Sequence, residues 1–130
     1  MAFEKIVGFF SNSCETCDEP KIKNKKMLVT HYYVGNYEKV KAAVSNVCQN
    51  ELGLILMNVD DHYKELLFEN KKESLIVTIA SVSANESSVD VKVKLNRSIG
   101  FNKPQKILDM FYNSLNRKLI LKRIGGTKDE

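Results

Sequence analysis

The sequence predicts an α+β fold, an antiparallel sheet with two helices on one face. Three observations carry that expectation. Two stretches, 36–52 and 104–120, place apolar residues at helical spacing. The segment "VDVKVKL" at 89–95 alternates strictly between apolar and polar residues. One-sided burial of that kind belongs to antiparallel sheets. Several further strand-like runs are divided by short turn-forming segments.

The elements follow in chain order. "MLVTHYYVG" at 27–35 is rich in β-branched and aromatic residues and ends in Gly35, which reads as a strand. Asn36 offers a helix N-cap, and Val40, Ala43, Val44, Val47, Cys48 and Leu52 follow at helical spacing until Gly53 supplies the stop. "LILMNV" at 54–59 is a short buried strand, Asp60-Asp61 a turn, and "HYKELLFEN" a returning strand. After the turn "NKKE", "SLIVTIASVS" at 74–83 is apolar on both faces, as a central strand should be. "ANES" turns again into the alternating strand, with Val89, Val91, Val93 and Leu95 inward and Asp90, Lys92 and Lys94 in water. Pro104 suits the first turn of the last helix, whose stripe is Ile107, Leu108, Phe111, Leu115 and Leu119.

The resulting order, β-α-β-β-β-β-α, resembles the repeat unit of the TATA-box-binding-protein-like fold and also suits helix-grip folds. The resemblance covers element order over 27–120. It implies a fold and no function. The domain reading is an N-terminal appendage at 1–26 holding a Cys-x-x-Cys, a single α+β domain at 27–124, and a flexible tail at 125–130.

With 130 residues the chain suggests one domain, long enough for a core without staples. No run approaches the ~18 apolar residues of a membrane-spanning helix. Three cysteines, an odd number, argue against a disulfide scaffold, and the expected location is cytoplasmic. The net charge of +4 sits at the ends: residues 103–130 carry seven positive and three negative groups, while 27–102 carry eight and nine. The central region therefore has no basic stripe of the kind nucleic acid requires.

Four candidate sites remain. Cys14 and Cys17, in "SNSCETCDEP", have the half-site spacing common for zinc, though the other half is missing. "KIVGFFSNSCETC" superficially resembles the strand-then-Cys-x-x-Cys opening of thioredoxin-like proteins. Glu15, Asp18 and Glu19 oppose thiolate formation there, however. A cis-proline counterpart is also absent, since Pro104 sits at a helix start. The bland reading is an inert pair in a tail. Asp60, Asp61 and His62 form a small cluster of cation-binding type, but aspartates in a hairpin turn need no further reason. The basic groups are Lys21, Lys23, Lys25 and Lys26 at one end and Arg117, Lys118, Lys122 and Arg123 at the other. They suit phosphates of nucleic acid or an anionic membrane, or simply a solvated face. The last candidate is a sheet face. With only two helices, one face is covered and the other is left either open or to the N-terminal appendage; if open, His31, Tyr33, Ile76, Thr78 and Ala80 are its expected binding residues.

No catalytic motif is present, so the expected function is a non-enzymatic binding domain using the open sheet face. It would act as a homodimer, with a protein partner, or with an apolar small ligand. The alternatives are a zinc-binding or thiol-redox-responsive protein, with zinc as the one cofactor in view, and an adaptor at an anionic surface.

Overall fold

The structure, a computed structural model, describes residues 13–16, 29–96 and 103–125. Among these residues seven strands form one antiparallel sheet: β1 (Ser13–Glu15), β2 (His31–Val34), β3 (Ile55–Asp60), β4 (Glu65–Glu69), β5 (Glu73–Ser83), β6 (Glu86–Leu95) and β7 (Leu121–Ile124). The spatial order is β3-β4-β5-β6-β2-β7, with β1 also pairing with β6. Helices α1 (Tyr37–Asn46) and α2 (Lys103–Asn116) pack on the same face. The antiparallel sheet and the two helices match the sequence expectation. Strands β1 and β7 add to the expected element order.

Local chemistry sets each helix. Asn36 Oδ1 accepts from the Lys39 N–H at 2.9 Å, capping α1. Past Asn46 the chain loosens into a π-helical turn, Val47–Glu51, in which the Leu52 N–H reaches the Val47 carbonyl at 3.1 Å. That turn directs Val47 and Cys48 fully into the core. Gly53, at φ +67°, then reverses the chain in a left-handed conformation that a side chain rarely adopts.

The core lies between the helices and one sheet face. Val40 and Val44 from α1, Leu108, Phe111 and Leu115 from α2, and Leu75, Val77, Ile79 and Val89 from the sheet are all completely buried. Each such side chain contributes about 1.5–3 kcal/mol by leaving water.

The sequence expectation extended the last helix to residue 120, whereas α2 ends at Asn116. Leu119 is still buried, but it is reached through a turn in which the Lys118 and Leu119 N–H groups both bond to the Leu115 carbonyl. The chain then pairs as β7 with the otherwise open edge of β2. Leu115 and Leu119 fit helical spacing, which the sequence alone reads as one continuous stripe. The edge of β2 offers Leu121–Ile124 a backbone ladder that more helix would not.

One further element falls inside the expected appendage. Ser13, Cys14 and Glu15 pair with Lys94, Val93 and Lys92 of β6. Strand β2 pairs with the other half of the same edge, His31 to Val34 against Val89 to Glu86. Two separate segments thus divide one edge of β6 between them.

Candidate functional site

The face opposite the helices is uncovered by any described element. Strand register builds it row by row. Ile76 stands beside Lys92, Thr78 beside Asp90 and Ala80 beside Ser88, while Leu67 and Glu65 of β4 flank Ile76 and Thr78. Two adjoining depressions form along these rows. One, of about 340 Å³, lies between Glu15 and Thr16 on one side and Glu65, Ile76, Thr78 and Asp90 on the other. The second, of about 380 Å³, shares Ile76 and Lys92 and continues to Lys94 and Asn96. The trough so formed has an apolar centre at Ile76 and a rim of both signs, with Glu15, Glu65 and Asp90 toward one end, Glu69 and Lys94 toward the other, and Lys92 between.

Asp90 is the polar node of this trough. Its Oδ1 accepts hydroxyl hydrogen bonds from Thr16 at 2.6 Å and Thr30 at 2.5 Å. Thr16 continues the β1 ladder in a modified form. Its N–H donates to the Val91 carbonyl, and its Oγ1 accepts from the Val91 N–H, both at 3.0 Å. One side chain here does the work of a strand's carbonyl and also meets the carboxylate.

Behind this node, on the helix side, lies an aromatic stack. The His31 ring lies over Tyr112 at 3.6 Å and 8°. Tyr112 donates its hydroxyl to the Val89 carbonyl at 2.6 Å, so a helix side chain serves a strand carbonyl near the junction of β1 and β2. His31 Nδ1 sits 2.8 Å from the Val29 carbonyl and donates to it. Burial lowers the His31 pKa below its ordinary value, offset in part by that bond and by Asp90. Burial thus favours the neutral imidazole over the charged one.

The structure separates the expected binding residues into two groups. Ile76, Thr78 and Ala80 are on the open face; His31 and Tyr33 point the other way, into the core. Tyr33 is fully buried and donates its hydroxyl to Asn116 Oδ1 at 2.6 Å, and burial pushes its phenol pKa up. The outward tyrosine of β2 is Tyr32, which Arg123 covers at 3.9 Å from the ring centroid. Sequence reasoning grouped His31 with the open face because a four-residue strand carries too little pattern to say which side the helices take. It placed Asp90 and Lys92 in water but passed over them as binding residues. Strict alternation around them was the signal available.

The other candidates resolve as follows. The Cys14 thiol is pushed up to about 12, first by burial and then by Glu15. Cys17 and Lys21, Lys23, Lys25 and Lys26 lie outside the described residues. Cys48 is a core residue whose thiol burial also raises. No group of three metal-ligating side chains occurs among the described residues. Arg117 and Lys118 pair with Glu51 at 3.5 and 3.3 Å, and Lys122 and Arg123 with Glu86 at 3.2 and 3.1 Å. Each of the four C-terminal basic groups thus has a carboxylate partner. Asp60 Oδ1 accepts from the N–H groups of His62 and Tyr63, both at 3.1 Å, the geometry of a turn. No described helix is long and apolar enough to cross a membrane. A scan against protein-family models finds no match, and neither curated proteins nor solved structures yield a similar one.

Proposed function

We propose that this chain is a non-enzymatic binding module whose working surface is the open sheet face. The observation that carries the reading is the trough centred on Ile76, on the face that neither helix covers. Its size falls at the lower end of small-molecule sites. An apolar centre rimmed by carboxylates (Glu65, Glu69, Asp90) and lysines (Lys92, Lys94) suits an amphipathic ligand better than a wholly apolar one. The free thiols of Cys14 and Cys48 fit a reducing, cytoplasmic setting.

Thermal denaturation against a panel of small amphipathic acids and amines tests the reading, with Ile76→Arg as the blocked control. A ligand that binds the folded protein raises the melting temperature by mass action. A compound that stabilises the wild type and not the variant supports the trough. If no compound does so, or if both proteins shift equally, the reading fails. Sedimentation across a range of concentrations decides the homodimer arm: a dimer on this face dissociates in Ile76→Arg.

A further inference from the structure

We propose that β1 is a detachable strap, latched by Asp90, that forms one wall of the trough and covers the Cys14 thiol. Regulation of the trough by this strap rests on the reading above; the strap itself does not.

Four features of the fold point to it. First, β1 is three residues long and, among the described residues, pairs with a single strand, β6. Short peripheral strands of this kind open at the low end of the stability scale, well before the core. Second, its release leaves the rest of the sheet intact. Strand β5 pairs along β6 from Leu95 to Glu86, and β2 keeps its own stretch from Val89 to Glu86. Third, the junction between the two segments is a latch. Thr16, at the end of β1, and Thr30, at the start of β2, donate to the same oxygen of Asp90. Fourth, alternate residues of β1 face opposite ways. Glu15 lines the trough, joined by Thr16 just past the strand, while Cys14 stands beside Val93 and packs against the core. Lifting β1 removes the trough wall and, in the same movement, fully exposes a thiol that is half-buried while the strand is seated. An occupant that grips Glu15 or Thr16 holds the strap down, so Cys14 reports the state of the trough.

Cys48 supplies the internal reference. It is fully buried in the π-helical turn that follows α1 and becomes reactive only when the core opens. In a Cys17→Ser background, alkylation by iodoacetamide under native conditions is followed for the two remaining thiols by mass spectrometry. The strap predicts that Cys14 reacts much faster than Cys48, with a weaker dependence on urea. Thr16→Val, which keeps the shape and removes the hydroxyl, should raise the Cys14 rate about tenfold and leave Cys48 unchanged. Equal rates and urea dependences for the two thiols would overturn the proposal, because β1 would then leave only with the core. So would a Thr16→Val variant that leaves Cys14 unchanged, or one that accelerates both thiols alike. None of these readouts requires a ligand, so the strap and the ligand reading fail separately.

Discussion

The two faces of β5 and β6 come from the same residues in alternation, yet they have opposite fates. On the helix side Leu75, Val77 and Ile79 are fully buried, as are Val89 and Val93 beside them. On the other side Ile76 is 36% exposed, Ala80 is exposed, and Asp90, Lys92 and Lys94 are the neighbours. In β6 the sequence itself distinguishes the faces, valines against charges. In β5 it does not, since apolar side chains occupy both. An apolar residue becomes core when an opposing layer covers it, and here two helices supply only one layer.

The largest effect should come from the covered face. Phe111→Ala removes a ring with no exposed surface and should cost about 3–5 kcal/mol in urea denaturation. A loss below ~1 kcal/mol would mean that the two faces are not unequal after all. Next comes Tyr112→Phe, which keeps the stack on His31 and deletes the hydroxyl that serves the Val89 carbonyl. Losing one buried hydrogen bond to a carbonyl of the β2–β6 ladder costs about 1–1.5 kcal/mol, read in the same experiment. Tyr33→Phe should cost less, about 0.5–1 kcal/mol, because its partner Asn116 is exposed and regains water.

The covered face should also respond to pH. His31 has a folded-state pKa below its unfolded value, chiefly through burial. The unfolded chain then binds more protons, so this group's contribution is complete above the unfolded pKa of about 6.5 and is lost as pH falls below it. Melting curves at pH 7 and pH 5.5 should show the wild type losing stability and His31→Phe losing less. An equal loss in both would place the titration elsewhere. The smallest effect belongs to the open face: Ile76→Thr should change stability by no more than about 0.5 kcal/mol. A cost comparable to Phe111→Ala would show that the open face is a second core.

Much of the fold was legible before any coordinates. Asn36 and Gly53 marked the ends of the first helical stretch because capping and left-handed turns depend on one residue's own chemistry. The inward series from Val89 to Leu95 was legible because alternation has period two. The segment after Asn116 was misread because Leu119 satisfies helical spacing while sitting in a turn. Strand β1 lay unseen within the appendage because three residues carry no periodicity. The site was less legible than the fold. Ile76, Thr78 and Ala80 were placed on the open face, but His31 and Tyr33 were joined to them, and Asp90 was taken for a solvated charge.

The sequence by itself determined the local matters: where the helices begin, which residues of β6 face inward, and where the hairpins turn. Each follows from a residue's own chemistry or from a short repeat along the chain. Only the tertiary structure decided which face of β5 is covered, and that β1 and β2 divide one edge of β6. Only there, too, do Thr16, Thr30 and Asp90 meet, at sequence separations of 74 and 60 residues. Contacts at such distances depend on how the layers stack, and no local pattern along the chain encodes them.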